Sequence, residues 1–182
     1  MFTADPTLAT YRWPVVKLRP GHRTQGVLLS PKFFCVTTHW IDNTILCCVE
    51  DCPLCELIPA RGLFYIAVLV ESRRSLVELG ALSAMNLEQH AKLLHGGMKP
   101  GQVIEFRRSG AKQPVSSEIV RSVETFDAVS QLTLAQRVMS LYKFPPPNPD
   151  EALETYEKRI RSIAQVRCSR HAQSLLKSRM IS

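Results

Sequence analysis

The sequence predicts a mostly β fold followed by C-terminal helices, and three observations support this prediction. The 182 residues are 45% hydrophobic and 21% charged, which is enough apolar material to bury a core. Turn residues divide residues 10–126 into short segments, several of them rich in β-branched and aromatic side chains. Residues 127–182 instead carry apolar residues at helical spacing. We therefore predict a β domain over 10–126 and a helical C-terminal extension with a basic end over 127–182.

Two segments are the strongest strand predictions in the β domain. Residues 32–40 (KFFCVTTHW) are rich in β-branched and aromatic side chains, and residues 62–70 (GLFYIAVLV) are apolar enough to be covered on both faces. The pattern elsewhere predicts further strands at 12–18 with 26–29, at 75–79, at 102–108 and at 118–123.

One helix is predicted inside the β domain. Apolar spacing over 83–94 indicates a helix that begins with Ser83 or Asn86 as N-cap and ends at Gly96 and Gly97. The order is then three strands, with a cysteine-rich loop between the second and third, followed by the helix and two strands. This is the element order of an OB-fold, a five-stranded Greek-key barrel, here with a helix between strands three and four.

Four of the six cysteines fall within nine residues, and this cluster predicts a metal site. Cys52-Pro-Leu-Cys55 has the C-x₂-C spacing that lets two thiolates reach one ion from a tight turn. Cys47 lies five residues before Cys52, and His39 lies eight residues before Cys47. We therefore predict one Zn²⁺ held by His39, Cys47, Cys52 and Cys55. Such a closed shell leaves no position for water, so the zinc would be structural.

Several cysteines have a second interpretation. Cys48 is the alternative to Cys47, because adjacent side chains of an extended chain point in opposite directions and only one is expected to bind. Cys35 is interpreted as a small buried hydrophobe, and Cys168 is isolated from the cluster. The alternative to the whole site is a set of thiols without metal.

The formal net charge of +7 is unevenly distributed. Residues 158–182 contain seven basic and no acidic residues, whereas basic and acidic residues balance over the rest of the chain. A basic terminal segment on a neutral body favours a polyanionic partner, with nucleic acid the first candidate. The alternative is a solvated helix face.

Residues 13–123 resemble the zinc-containing OB-fold single-stranded DNA-binding proteins of phages and mobile elements. The resemblance is carried by Thr38-His39-Trp40, by Cys47, by the run 51–55 (DCPLC), by the apolar strand 62–70, and by the later pieces 101–108 and 114–115. It implies one structural zinc held by a histidine and three cysteines between barrel strands. The doubled Cys47-Cys48 departs from the pattern, as does a basic C-terminus where many such proteins have an acidic tail.

Single-strand binding requires a basic groove for phosphates and aromatic platforms for bases. Residues 12–32 are basic without an acidic residue, and residues 92–121 are predominantly basic. The neighbouring aromatic residues Phe33 and Phe34 should point in opposite directions, one of them into the core. We expect the exposed stacking residues to be Trp13, Trp40 and Tyr65. We expect the phosphate contacts to be Arg19, Arg23, Arg107 and Arg108.

The predicted function is therefore binding of single-stranded nucleic acid, with DNA the expected form and RNA an open alternative. The P-loop, dinucleotide-binding and HExxH motifs are absent, so we predict no enzymatic activity. The alternative is a protein-interaction or adaptor module built on a zinc-stabilised barrel. Partners or a second copy of the chain would bind through the C-terminal helices. No apolar run approaches a membrane span, and a cytoplasmic location is expected.

Overall fold

The structure is a computed structural model that describes residues 12–41, 43–47, 55 and 59–142. These residues are mostly β sheet with two helices. The strands are β1 Val15–Val16, β2 Arg23–Leu28, β3 Phe34–Ile41, β4 Asn43–Leu46, β5 Arg61–Val70, β6 Arg73–Gly80, β7 Gln102–Arg107 and β8 Ser116–Ser122. The helices are α1 Ala81–His95 and α2 Gln131–Leu141.

The chain divides into two compact units. The described residues of the first, the sheet unit, are 12–35 and 63–142. Those of the second, the hairpin unit, are 36–41, 43–47, 55 and 59–62. Most of the strands predicted from the sequence are present, and β3 and β5 follow the two strongest predictions closely.

The sheet unit contains a continuous path of strands in the order β1-β6-β5-β2-β7-β8. Neighbours along the path are antiparallel except for β1 and β6, which are parallel. Among the described strands β1 and β8 occupy the two ends of the path and do not pair with each other, so the sheet is not closed into a barrel. The described strands thus form an open sheet in place of the predicted closed five-stranded barrel.

Strand β5 is covered on both faces, as its apolar sequence predicts. Successive residues Tyr65, Ile66, Ala67 and Val68 are all buried although they alternate between the two faces. On one face a continuous core joins β5 to β2, β6, β7, β8 and α1, through Leu28, Ile66, Val68, Val77, Leu79, Leu87, Ile104, Phe106 and Ile119. This core is the main source of stability in the sheet unit.

Helix α1 confirms the predicted helix and its stop but corrects its start. Its N-cap is Gly80, and Ser83, proposed as a cap, is a buried residue inside the helix. At the other end Gly96 adopts a left-handed conformation, with φ of 66°, and its N–H bonds the carbonyl of Ala91. The buried stripe of Ala84, Leu87 and Ala91 fixes the orientation of α1 on the sheet.

Helix α2 is attached to the sheet by hydrogen bonds at both ends. The side chain of Gln131 donates to the carbonyl of Phe33 at 2.9 Å, and the hydroxyls of Tyr142 and Tyr65 lie 2.9 Å apart. Ser130 is the N-cap, accepting a bond from the Thr133 N–H. The described part of the predicted C-terminal extension is therefore helical where expected. Residues 143–182, including the basic end, lie outside the described residues.

In the hairpin unit β3 and β4 form an antiparallel hairpin. The sequence predicts a loop directly after Trp40, but the chain turns at once and residues 43–46 pair back onto β3. Leu46 of this return strand is buried. In the part of the chain that the structure describes, neither helix has the length and apolar character needed to cross a membrane.

Candidate metal centre and basic sheet face

The β3–β4 hairpin places a histidine and a cysteine on the same face. His39 pairs with Ile45 across the two strands, and the N–H of Cys47 donates to the carbonyl of Thr37 at 2.8 Å. Cys47 therefore lies opposite Thr37, which shares a face of β3 with His39, so Cys47 is a diagonal neighbour of His39. The alternative ligand, Cys48, lies outside the described residues.

The side chains of His39, Cys47 and Cys55 converge to form a candidate metal centre. Their ligand atoms all lie within 4.8 Å of one another. The Cys47 and Cys55 sulfurs are 3.6 Å apart, and the Cys55 sulfur is 3.6 Å from His39 Nε2. The sulfur separation is much longer than a disulfide bond of about 2.05 Å, so these two thiols are not joined to each other.

These distances agree with tetrahedral zinc coordination. Zn–S bonds of about 2.3 Å and a Zn–N bond of about 2.0 Å place two sulfurs about 3.8 Å apart and a sulfur and a nitrogen about 3.5 Å apart. His39 and Cys47 are buried whereas Cys55 is exposed. The donor set, two thiols and an imidazole, is the one that structural zinc prefers. The fourth predicted ligand, Cys52, and the alternative Cys48 lie outside the described residues.

A basic sheet face lies on the outer side of β2 and β7 in the sheet unit. Arg23 and Arg107 are directly opposite each other across these strands, and both are exposed. The next outward pair is Gln25 and Glu105, whose side chains are joined by a 2.8 Å hydrogen bond from Gln25 Nε2. The Arg107 side chain donates to the other oxygen of Glu105.

Glu105 accepts hydrogen bonds from two side chains of this face. The hydrogen bond from Gln25, followed by the one from Arg107, holds the pKa of its carboxyl below the usual range. Glu105 is buried, whereas the Arg107 side chain is 57% exposed. The carboxylate therefore orients one arginine while more than half of that side chain stays exposed.

The other two predicted phosphate contacts differ from each other. Arg19 is exposed in the turn before β2. The guanidinium of Arg108 donates instead to three backbone carbonyls, those of Leu18, Gly110 and Ala111, at 2.6–3.3 Å. Arg108 therefore ties two loops together, a role that the sequence alone did not indicate.

The predicted stacking residues divide into one exposed and two buried side chains. Trp40 is 54% exposed, as expected for a platform. Tyr65 is buried and its hydroxyl donates to Glu78 at 2.6 Å, so the expectation that it is exposed is wrong. Trp13 is also buried, and the Arg137 guanidinium lies 5.2 Å from the centre of its ring. Both expectations failed because a helix beyond the β domain covers this side of the sheet.

An aromatic groove in the sheet unit was not foreseen from the sequence. It has a volume of about 400 Å³ and is lined by Phe33, Phe64 and Met98 together with charged side chains. The expected division of the adjacent phenylalanines is present, with Phe34 in the core and Phe33 half-buried in the groove. Phe64 gave no comparable signal because it lies in a continuous apolar run.

Comparison of the chain with protein-family models, with curated proteins and with solved structures found no match. Function is therefore inferred from the geometry of the described residues.

Proposed function

We propose that this chain binds single-stranded nucleic acid, with DNA the expected form, and has no catalytic activity of its own. The observation that carries the proposal is the pairing of Arg23 with Arg107 on an exposed sheet face. These arginines come from the two basic segments, which are far apart in the sequence. Their pairing places two exposed guanidinium groups side by side, next to the single carboxylate of Glu105 that Arg107 contacts. Two neighbouring cations of this kind favour contact with a phosphate backbone.

The strand order supports an OB-like barrel as the underlying fold. Strands β6, β5, β2, β7 and β8 are consecutive neighbours, and α1 lies between the third and fourth of them in chain order. Ring closure would require β6 to approach β8. Helix α1 contacts both of these strands, as expected of a helix that fills the end of a partly open barrel.

Zinc is the proposed ion of the metal centre, held by His39, Cys47 and Cys55 with Cys52 as the fourth ligand. When bound, it would act as a structural cross-link between the β3–β4 hairpin and the C-x₂-C segment. The resemblance to phage and mobile-element proteins supports a role in such a system or in a related bacterial one, in the cytoplasm. Self-association or a protein partner would use the C-terminal helices.

The test is a fluorescence-anisotropy titration of the full chain with labelled single-stranded DNA, double-stranded DNA and RNA at two salt concentrations. We expect the tightest binding for the single-stranded oligonucleotides and a steep loss of affinity with salt. The double variant Arg23→Gln/Arg107→Gln should lower the slope of log K against log salt by about 0.7 per lost phosphate contact. Arg73→Gln, an exposed arginine at the start of β6, is the matched control. Flat titrations at low salt would refute the proposal.

A protein-interaction module is the second candidate, and one observation favours it. Helix α1 exposes four large apolar side chains, those of Leu82, Met85, Leu93 and Leu94. Exposed apolar surface of this kind is typical of docking surfaces. Absence of binding to every oligonucleotide, with a loss of self-association in Leu93→Ser measured by light scattering, would favour this function.

A further inference from the structure

The aromatic groove has two phenylalanine rings, those of Phe33 and Phe64, in its lining. Phe33 precedes β3 and Phe64 lies on β5, and both are half-buried. Their ring centres are 6.1 Å apart and their planes cross at 87°. This edge-to-face pair forms a rigid corner, since each ring limits the movement of the other. Its volume of about 400 Å³ lies within the range of small-ligand pockets.

The charged rim of the groove brings the two basic segments together a second time. Lys32 ends the first basic segment and Lys92, on α1, begins the second, and both line the groove. Glu88 lies one helical turn before Lys92 and is the acidic residue of the lining. The lining therefore carries an excess of one formal positive charge beside an apolar corner.

We infer that the aromatic groove receives a base of the bound single strand, with Phe33 and Phe64 against the base and Lys32 and Lys92 against the adjacent phosphates. This inference rests on the proposed function and locates its base-binding site. Apolar rings next to mobile cations match the alternation of base and phosphate along a single strand. The groove thus supplies the stacking surface that the buried Trp13 and Tyr65 do not.

An apolar side chain of a partner protein is the competing occupant. It would use Phe33, Phe64 and Met98 in the same way, but it would gain little from two lysines. The lysines therefore distinguish the occupants: removing their charge should weaken a nucleic-acid complex and change its salt dependence, whereas a protein complex would be nearly indifferent.

The alkylation rate of Cys35 reports whether the groove of the wild-type chain is occupied. Cys35 is exposed and lines the groove. The groove lining partly desolvates the thiol of this exposed residue and raises its pKa, so alkylation with N-ethylmaleimide is carried out at mildly alkaline pH. The product is quantified by mass spectrometry of the Cys35 peptide. We expect saturating oligo(dT) to slow alkylation of Cys35 severalfold and double-stranded DNA to leave the rate unchanged.

Volume-conserving variants test the two halves of the site. Phe33→Leu and Phe64→Leu remove the rings but keep apolar volume, and each should weaken oligo(dT) binding at least about fivefold, the lower limit for a lost base stack.

Lys32→Gln and Lys92→Gln should each lower the slope of log K against log salt by about 0.7. Glu88→Gln should instead tighten binding, because it removes the negative charge of the lining. Arg73→Gln, at the exposed start of β6 and outside both basic segments, is the control.

The outcomes separate this inference from the proposed function. If the wild-type chain does not bind any oligonucleotide, the proposed function fails and the inference fails with it. If the wild-type chain binds, but Cys35 alkylation is unprotected and the phenylalanine and lysine variants bind as tightly as Arg73→Gln, only the groove assignment is overturned. A melting temperature is measured for each variant, and where one is lowered, protection of Cys35 in the wild-type chain decides.

Discussion

The sheet unit and the hairpin unit are stabilised in different ways. The sheet unit buries a continuous apolar core shared by five strands and α1. In the described part of the hairpin unit the buried side chains are Val36, Thr38, His39, Leu46 and Cys47. Two of these five are candidate metal ligands, so few of the described buried side chains contribute apolar packing. We therefore expect the hairpin unit to depend on a bound ion and the sheet unit not to.

Loss of the metal is the perturbation expected to separate the two units most strongly. Structural zinc contributes roughly 10–16 kcal/mol of binding free energy in zinc-finger peptides, and this energy is coupled to folding. We expect His39→Ala and Cys47→Ser to lower the zinc content from about one per chain to well under one. Hydrogen exchange should then accelerate in residues 36–47 while the amides of β5 and β7 stay protected.

Two cysteine variants complete this experiment. Cys35→Ser should retain its zinc, because Cys35 lines the aromatic groove and is not in the cluster of ligand atoms. Cys48→Ser should retain it as well. A zinc content that is normal in Cys47→Ser and lost in Cys48→Ser would move the ligand to the neighbouring residue. Wild-type protein with well under one zinc per chain would rule out the metal centre.

A core truncation should have the opposite distribution of effects. Leu87 on α1 is fully buried in the core of the sheet unit. Leu87→Ala should lower the free energy of unfolding by about 2–5 kcal/mol, since it removes transfer free energy and leaves a cavity. Urea denaturation measures the loss, and the zinc content should remain unchanged. Leu93→Ala, at a position 81% exposed on the same helix, should change stability by less than about 0.5 kcal/mol.

The sequence predicts the candidate site of the hairpin unit better than the candidate sites of the sheet unit. The metal centre depends on residues close together in the chain, and their spacing was enough to propose His39 and Cys47, with Cys48 left as the alternative to Cys47. The two proposed binding sites depend on residues far apart in the chain, Arg23 with Arg107 on the sheet face and Lys32 with Lys92 in the groove. Charge patterning predicted that the two basic segments share a surface, but only strand pairing determines which of their side chains meet.

The sequence could not predict which side chains a distant element buries. Tyr65 lies in a strongly predicted strand, and nothing in its neighbours shows that α2 will cover it. Its hydroxyl finds two partners there, Glu78 and Tyr142. An amphipathic aromatic residue is suited equally to an exposed platform and to a buried hydrogen-bonded contact, so residue type alone could not decide between them.

The tyrosine contact provides a pH test of the sheet unit. Burial, followed by the hydrogen bond to Glu78, raises the pKa of Tyr65, and burial raises the pKa of Tyr142 to about 12. Raised folded-state pKa values mean that the stabilisation is complete below the ordinary tyrosine pKa of about 10 and is lost as the pH rises above it. Tyr65→Phe should cost about 1–3 kcal/mol at neutral pH, because it leaves polar partners with fewer bonds.

The measurement for the tyrosine contact is urea denaturation of wild type and Tyr65→Phe at several pH values. The difference between them should shrink between neutral pH and about pH 12, where the unfolded chain gains by ionising. A constant difference across this range would show that the hydroxyl does not contribute through its protonation state.

Glu105 gives the smallest expected effect and tests the basic sheet face at the acidic end of the pH scale. Hydrogen bonds from Gln25 and Arg107 lower the pKa of its carboxyl, so its contribution to stability is present above the ordinary glutamate pKa of about 4.3 and is lost as the pH falls through the lower folded-state value. Glu105→Gln should therefore reduce the acid sensitivity of unfolding. The same variant should also bind oligo(dT) more tightly, since Arg107 no longer shares its charge with a carboxylate, and unchanged affinity would mean that this arginine does not face the phosphates.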